Sequence, residues 1–211
     1  MKIEGKTILQ RTINRLQRSS QLSSILITTS DSSSDDDLEF HAAKLGIEVF
    51  RGDLQDVGKR LVNAANFKNA ENFVRISADS PFIDWRIVDK AIDLHKSSET
   101  DLVTNIFPRT YPKGQSVEVI KTDTLNKIIQ EDLDSHAKEH VTPHFYENFQ
   151  SFRIISFTSG QNRAESVQCV DNKIDFNSAC RLANKYEIDD LDWLEIDRLF
   201  DKNPNIVDTK N

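Results

Sequence analysis

The chain has 211 residues, of which 37% are hydrophobic and 29% charged, and its formal net charge is −7 at pH 7. This composition supports a folded core and excludes a largely disordered chain. The acidic balance, without a stripe rich in lysine and arginine, argues against a nonspecific nucleic-acid partner. Cys169 and Cys180 have no metal-ligand spacing, so neither a zinc site nor a disulfide scaffold is expected. Without a signal peptide or a long apolar run, the sequence predicts a soluble, cytoplasmic protein with no membrane partner.

Strand and helix patterns alternate through the first half of the chain. Hydrophobic periodicity predicts helices near 8–16, 38–45, 56–65 and 85–95, and strands at 24–29, 47–50, 72–77 and 101–104. Such alternation is typical of right-handed crossovers between parallel strands. It predicts an α/β fold, Rossmann-like, with a mostly parallel sheet and helices on both faces.

An acidic turn follows the strand predicted at 72–77. Ligands of open α/β sheets bind outside the carboxyl ends of the strands, where Asp79 can hold a divalent cation against phosphates. Pro81 ends the strand, and Asp84 can cap the next helix. The alternative, that Asp79 and Asp84 are only turn and cap residues, is about equally compatible with this segment.

The second half is less regular. The sequence predicts a turn at 111–114, a strand at 115–120 with one wet face that includes Glu118, and, in the segment 135–148, a helix up to Thr142-Pro143. A strand is predicted at 153–157 and a last helix at 191–200, while 166–174 is compatible with strand or coil. No repeat or linker divides the chain, so residues 1–211 are expected to form one domain.

Four motifs occur in one order along nearly the whole chain. They are Arg51-Gly52-Asp53 with Asp56-Val57 and Arg60, Val74-Arg75-Ile76-Ser77-Ala78-Asp79-Ser80-Pro81-Phe82-Ile83-Asp84, Tyr111-Pro112-Lys113-Gly114 with Val117-Glu118-Val119, and Glu139-His140-Val141-Thr142-Pro143. This series resembles the SpsF-type cytidylyltransferases, spore-coat polysaccharide synthesis proteins related to the synthetases of CMP-sialic acid and CMP-Kdo.

The resemblance implies a nucleotide-diphospho-sugar-transferase fold and a reaction. In that reaction CMP passes from CTP to an acidic or modified sugar with release of pyrophosphate, for surface polysaccharide biosynthesis, and Mg²⁺ is the cofactor. The resemblance also implies that residues 108–160 bind the sugar and supply the contact of a homodimer.

Site residues follow from the resemblance, position by position. Asp79 matches the family's catalytic, metal-holding aspartate. Asp190 and Asp192 resemble the acidic segment that supplies a second metal ligand in the sialic-acid relatives. Two alternatives stay open, because acids at a helix start are favoured by its dipole without any metal, and because the SpsF-type pattern would instead place Asn184 or Lys185 there.

Further substrate contacts are implied at five positions. Ser30 matches a stretch beside the nucleotide base, Arg75 is placed toward phosphates, Lys113 and Glu118 lie where the family binds the sugar, and His140 is a candidate for substrate orientation or acid–base chemistry. Each residue type is also common in surfaces, turns or packing, and His136 and His144 carry the same ambiguity.

One part of the family pattern is absent from the printed sequence. Family members begin with a strand and a basic, glycine-rich loop, R-x-G-S-x-R-x-P-G-K, which cradles the triphosphate. Residues 1–7 match the stretch just downstream, so a strand and its loop, about twenty residues, are expected to be missing. CTP binding by the printed chain should then be weak and catalysis impaired, which leaves a noncatalytic sugar-nucleotide binding subunit or a glycosyltransferase of the same fold as alternatives.

Overall fold

The computed structural model describes residues 1–131, 138, 140–203 and 206. A short antiparallel hairpin leads into the first helix, giving β1 (Lys2–Ile3), β2 (Lys6–Thr7) and α1 (Ile8–Leu16). The Thr7 hydroxyl accepts a hydrogen bond from the Gln10 amide at 3.1 Å and caps α1. Ile13 and Leu16 are buried on one face of α1, which confirms the predicted amphipathic helix.

Two strand–helix units follow and form the first parallel pair. They comprise β3 (Leu26–Ser30), α2 (Asp36–Lys44), β4 (Glu48–Gly52) and α3 (Val57–Phe67). β3 and β4 are parallel, with Leu26 opposite Glu48 and Ser30 opposite Gly52. Gly46 adopts φ +69°, a left-handed conformation that favours glycine, just after the end of α2. The predicted alternation of strands and helices is confirmed in this half of the chain.

A four-stranded sheet forms the centre of the molecule. Its strands and surrounding helices are β5 (Asn72–Arg75), α4 (Trp85–Lys96), β6 (Leu102–Thr104), β7 (Glu118–Lys121), α5 (Thr122–Ile128), α6 (Pro143–Glu147) and β8 (Ile154–Ser156). The strand order is β5-β7-β6-β8. β7 is antiparallel to β5 and β6, whereas β6 and β8 are parallel. The sheet predicted as mostly parallel is therefore mixed, with an inserted antiparallel strand.

The predicted wet face of the strand at 115–120 is wrong. Glu118, Val119 and Ile120 are all buried, and the Glu118 side chain is only 2% exposed. β7 lies between two other strands, so neither edge is open, and its two faces are covered by separate hydrophobic clusters. The polar residue at 118 in this alternating strand is therefore buried in an ion pair with Arg75 and does not face solvent.

Hydrophobic clusters cover both faces of this sheet. Val119 packs with residues of α4 such as Val88 and Ala91, whereas its neighbour Ile120 packs with Val62 of α3 and Leu125 of α5. Successive residues of a strand point to opposite faces. Helices therefore lie on both sides, and the predicted α/β layering is confirmed.

The two helices near the C-terminus are α7 (Lys173–Lys185) and α8 (Trp193–Lys202). They pack around a third cluster that includes Ile3, Leu182 and Ile196. A capping box of Asn172 and Asp175 starts α7 within the stretch that the sequence left between strand and coil. The helix predicted at 191–200 is confirmed as α8. No helix in the described residues is long and apolar enough to cross a membrane.

Among the described residues, the parallel pair of β3 and β4 is connected to the four-stranded sheet by side-chain packing and not by strand pairing. Within the described part of the chain, β3 pairs only with β4, and β5 pairs only with β7. Ile25, just before β3, packs into the same cluster as Val74 of β5 and Ile76. β3 and β5 are partly exposed, whereas β6 is buried throughout.

Candidate functional site

Asp79 lies in the turn that follows β5. Its Oδ1 accepts a hydrogen bond from Ser80 Oγ at 2.8 Å, and its backbone carbonyl accepts one from the Val170 amide at 2.9 Å. The turn ends at Asp84, whose carboxylate accepts a hydrogen bond from the Arg86 amide at 3.0 Å and caps α4. The predicted cap is confirmed, and the acidic turn is fixed at both ends while the Asp79 side chain stays half-buried.

A second carboxylate, Asp171, lies beside Asp79. Burial is the main cause that raises the pKa of Asp79 above its ordinary value, and the negative charge of Asp171 raises that pKa further. Cys169 contacts the same group, because its Sγ donates to Asp171 Oδ2 at 3.3 Å. Burial raises the pKa of this thiol to about 12, with contributions from Asp171 and Asp79. The half-buried carboxylate of Asp79 is therefore repelled by the exposed carboxylate of Asp171.

Sequence analysis missed Asp171, although a local signal exists. Asp171 directly follows the buried apolar residue Val170 and precedes the helix cap Asn172, as Asp79 follows a strand and precedes the helix cap Asp84. The sequence of residues 166–174 is compatible with either a strand or a coil, so it does not fix where Asp171 lies. What the sequence does not contain is the hydrogen bond from Val170 to Asp79, which brings the two acids together.

The two carboxylates fit a divalent cation. Mg²⁺ prefers oxygen ligands, usually takes one or two protein carboxylates, and completes its shell with substrate phosphates and water. A cation would remove the repulsion that contributes to the raised pKa of Asp79. No group of three or more His, Cys, Asp or Glu side chains forms a complete cage in the part of the chain that the structure describes. Asp79 and Asp171 would hold Mg²⁺ together with ligands from a substrate.

The structure places the two predicted C-terminal metal ligands in other contacts. Asp190 pairs with Arg18 at 2.9 Å and is 90% exposed. Asp192 is the N-cap of α8, where its carboxylate accepts a hydrogen bond from the Glu195 amide at 2.7 Å, and Glu195 in turn accepts from the Asp192 amide. These contacts agree with the helix-start alternative, and a metal role for Asp190 or Asp192 stays a prediction.

Arg75 and Glu118, predicted separately, form one buried ionic cluster. Arg75 Nη1 donates to Glu118 Oε2 at 2.7 Å, and the Tyr146 hydroxyl donates to Oε1 at 2.5 Å. Tyr146 Oη lies 3.0 Å from Thr104 Oγ1, and the pKa of Tyr146 is raised by burial and by the charge of Glu118. The charge of Arg75 also acts on Asp79, so the cluster adjoins the two aspartates.

Arg109 is a further member of this cluster that sequence analysis did not single out. Its Nη2 donates to Ser116 Oγ at 3.0 Å, while its Nη1 is buried and has no hydrogen-bond partner among the described residues. Burial lowers the pKa of Arg109, and the charge of Glu118 opposes that shift. Phe107, which is 39% exposed, stacks on the Tyr146 ring with centroids 4.9 Å apart. An unpaired buried donor of this kind suits an oxygen acceptor of a ligand.

Ser30 is held by its own loop. Its hydroxyl and its amide donate to Asp35 Oδ2 at 2.6 and 3.0 Å, and Thr29 Oγ1 donates to the same atom. These hydrogen bonds, with that of the Ser30 hydroxyl the strongest, lower the pKa of Asp35 to about 2. Arg51 Nε donates to the Ser30 carbonyl at 3.0 Å. Ser30 is only 3% exposed. A contact of Ser30 with the nucleotide base stays a prediction.

Of the remaining predicted residues, Lys113 and His140 are at the surface, whereas His144 is partly buried. Lys113 is exposed, and its backbone pairs with the segment 166–168 through Ser166 and Gln168. His140 is exposed, and His144 packs edge-on against Phe152. His136 and the Glu139 of the last motif lie outside the described residues. Nothing in these contacts tests a substrate role for Lys113 or His140.

Comparisons with known proteins agree with the fold. A sequence model of the cytidylyltransferase family matches residues 1–196. The spore coat polysaccharide biosynthesis protein SpsF of Bacillus subtilis is 29% identical over 186 residues, which cover 86% of this chain and 76% of that protein. The predicted resemblance to SpsF-type proteins is confirmed.

Solved structures with the same architecture include a cytidylyltransferase and a CMP-sugar synthetase. A cytidylyltransferase from Leptospira borgpetersenii superposes with a TM-score of 0.93 at 25% identity, covering 100% of this chain and 90% of that one. A CMP:2-keto-3-deoxy-manno-octonic acid synthetase in complex with CTP superposes with a TM-score of 0.68 at 15% identity, covering 88% and 90%. The second match shows the shared fold alone.

Proposed function

The chain belongs to the cytidylyltransferase family, and we propose that it transfers CMP from CTP to an acidic or modified sugar and releases pyrophosphate, for the synthesis of a surface polysaccharide. The observation that carries this proposal is the position of two groups at one end of the central sheet. Arg75 is the last residue of β5, the strand that leads into the turn of Asp79, and it lies opposite Glu118 of β7, to which it is bonded. The Val170 amide bonds to the Asp79 carbonyl and so places Asp171 at the same turn. One group suits a metal-bound triphosphate and the other a polar sugar.

Asp79 and Asp171 are the residues that would hold Mg²⁺. When bound, Mg²⁺ neutralises charge on the triphosphate as the α-phosphorus is attacked. Asp79 is fixed by the hydrogen bonds of its turn, so its carboxylate needs little reorganisation to bind a cation. The raised pKa of Asp79 indicates that protons and metal ions compete for this site as the pH falls.

The sugar end of the proposed site has an excess of positive charge. Two guanidinium groups, Arg75 and Arg109, face one carboxylate, Glu118, so their sum is +1. Both oxygens of Glu118 already accept hydrogen bonds, which makes it a holder of Arg75 and Tyr146 and not a free base. The buried Arg109 Nη1 requires an acceptor. A carboxylate or another anionic substituent of the sugar would supply both the acceptor and the missing charge.

A noncatalytic sugar-nucleotide binding subunit is the second candidate function. Arg75, the cation that acts on Asp79, is bonded to Glu118. Its guanidinium is therefore partly engaged and less available to a triphosphate, so nucleotide binding and turnover are proposed to be weak.

The location and assembly of the protein are also proposals. Cytosolic CTP would supply the reaction, which suits a cytoplasmic enzyme. A homodimer through residues 108–160 is supported by the exposed ring of Phe149, which is 52% accessible and lies near Phe107 at a centroid distance of 6.4 Å. Sedimentation that shows only a monomer at micromolar concentration would reject the dimer.

Pyrophosphate release tests the proposed reaction. The protein is expressed from its complete gene and, separately, as residues 1–211, and both are assayed with Mg²⁺, each of four nucleoside triphosphates, and panels of acidic and neutral sugars. We expect release with CTP and an acidic sugar. Release with another triphosphate alone, or with neutral sugars alone, would contradict the proposed substrates. CTP binding without release by either protein would favour the binding subunit.

Arg109→Gln tests the sugar end separately, because it keeps a polar side chain and removes the charge. We expect the KM for the acidic sugar to rise about tenfold or more while the KM for CTP stays within about twofold. Arg153→Gln is the matched control, since Arg153 pairs with the exposed Glu99 and is itself 59% exposed. Equal KM values for the sugar in Arg109→Gln and in the wild type would remove Arg109 from the site.

A further inference from the structure

Two buried glutamines connect the segments that carry Asp79 and Asp171. Gln115 is fully buried and Gln168 is 1% exposed, and Gln115 Nε2 donates to Gln168 Oε1 at 2.8 Å. Gln115 also holds the turn that follows Asp79, because its Oε1 accepts from the Asp84 amide at 2.8 Å and its Nε2 donates to the Phe82 carbonyl at 2.6 Å. The turn is therefore bonded to a side chain from a different part of the chain.

Gln168 stands on the segment that leads to Asp171. Its backbone amide donates to the Lys113 carbonyl at 2.7 Å, and its side-chain Nε2 donates to the Trp193 carbonyl at 3.0 Å. Two residues later, the Val170 amide donates to the Asp79 carbonyl. The turn 79–84 and the segment 168–171 are therefore connected at two places, through the Gln115–Gln168 hydrogen bond and through the Val170–Asp79 hydrogen bond. We call this closed set of contacts the frame.

Gly114 makes the close approach of these segments possible. A Cβ atom at residue 114 would lie 2.5 Å from the Cys169 nitrogen and 2.6 Å from the Gln168 carbonyl carbon, and Gly114 has φ +94°. Both the space and the backbone conformation require glycine. The turn that carries Lys113 is thereby seated directly against the segment that carries Asp171.

We propose that Gln115, acting through Gln168, is a positioning residue that sets the separation of the Asp79 and Asp171 carboxylates. The inference rests on the proposed metal-dependent transfer of CMP. A pair of carboxylates binds a divalent cation well only when their oxygens are held at the right separation, and groups behind the ligands supply that rigidity. Every hydrogen-bonding atom of the Gln115 amide is used within the frame, so replacing it frees the turn from the neighbouring segment.

Mn²⁺ binding to the full-length protein tests this inference without requiring turnover. The affinity is measured by water-proton relaxation for the wild type, Gln115→Leu, and Asp79→Asn. We expect Gln115→Leu to weaken Mn²⁺ binding by about tenfold or more, within the usual effect of groups that support metal ligands. Mn²⁺ is the probe because it takes the same oxygen ligands as Mg²⁺ and is paramagnetic.

Thr122→Val is the matched control for a general loss of stability. It removes another buried hydrogen bond, from Thr122 Oγ1 to the Ala70 carbonyl at 2.7 Å, at the opposite end of β5 from Asp79. We expect it to lower the thermal midpoint and to leave the Mn²⁺ affinity unchanged. If Gln115→Leu does not fold, Gln168→Leu replaces it, because that substitution removes the bond to Gln115 and the bond to Trp193 only.

The outcomes separate this inference from the proposed function. Mn²⁺ binding to a folded Gln115 or Gln168 variant within about twofold of the wild-type affinity overturns the positioning role and leaves the metal site intact. An equal loss in Thr122→Val also overturns it, since the effect would then follow stability. Wild-type protein that binds no Mn²⁺ either alone or with CTP, or an Asp79→Asn variant that binds it equally well, rejects the proposed metal site and the positioning role together.

Discussion

The pair of Asp79 and Asp171 and the acidic group at 189–192 contain the same carboxylate chemistry in different surroundings. At the second group, Lys6 and Arg11 bond to Asp189 at 2.8 and 2.6 Å, Arg18 pairs with Asp190, and the Glu195 amide of α8 donates to Asp192. At the first group, burial and the charge of Asp171 act on Asp79 against hydrogen bonds from Ser80 and from the backbone amide of Asp79 itself, and against the charge of Arg75.

The pKa directions express this difference. Burial acts to raise the pKa of Asp189, but the hydrogen bonds and charges of Lys6 and Arg11 outweigh it, and the pKa is lowered. Burial raises the pKa of Asp79, and the nearby Asp171 adds to the shift. A carboxylate that is paired with cations of the protein stabilises the fold. A carboxylate whose charge is not balanced in this way is still able to bind a cationic ligand. Arg15 adds to the structural character of the second group, since it donates to the carbonyls of Ile188, Asp189 and Leu191.

The largest effect is expected from Asp79→Asn, which keeps the size of the side chain and removes its charge. Loss of a metal contact that stabilises the transition state should reduce pyrophosphate release at least about a hundredfold. Asp190→Asn is the matched control and should keep wild-type turnover, because it removes only an exposed ion pair with Arg18. Equal losses in the two variants would break the comparison, and near-normal release by Asp79→Asn would reject Asp79 as a ligand.

Asp171→Asn should reduce turnover by about tenfold or more and raise the Mg²⁺ concentration required for half-maximal release. The physical reason is that one of two carboxylates remains, so the cation still binds but less tightly. A Mg²⁺ titration of pyrophosphate release measures both quantities. An unchanged Mg²⁺ requirement would show that Asp171 acts on Asp79 only through its charge.

Asp192→Ala should lower stability by about 1 kcal/mol, the usual cost of losing an N-cap carboxylate. Turnover should stay at the wild-type level, because the Asp192 carboxylate is bonded to the Glu195 amide at the start of α8. Urea unfolding and the pyrophosphate assay are run on the same protein sample. A hundredfold loss of turnover at unchanged stability would restore Asp192 as a metal ligand.

The smallest expected effect is a pH-dependent gain in stability of Asp79→Asn without metal. The folded-state pKa of Asp79 lies above its ordinary value of 3.8, so the folded protein favours the protonated acid and loses stability as the pH rises through the raised pKa. Asn does not titrate. The variant should therefore unfold at a higher temperature than the wild type at pH 7, and the difference should shrink as the pH falls toward 3.8. A difference that grows on acidification would contradict the raised pKa.

Local patterns determined much of the fold in advance. Periods of hydrophobic residues, caps such as Asp84, and turn residues such as Gly46 act within a few residues of chain, so they indicate helices, strands and their ends directly. The same locality placed Asp79 after a strand, and the order of four motifs identified the family. The helix α7 was missed because its capping box follows a segment without clear periodicity.

Tertiary structure decided which of these residues meet. The burial of Glu118 depends on β7 lying between β5 and β6, an order that no local pattern contains. The pairing of Asp79 with Asp171 depends on one hydrogen bond between segments far apart in sequence, supported by the buried bond of Gln115 to Gln168. The position of an acidic residue before a helix does not show whether that residue caps the helix or lies beside another acid. Only packing brings or withholds the opposite charge, and that charge separates Asp189, which bonds to Lys6 and Arg11, from Asp79.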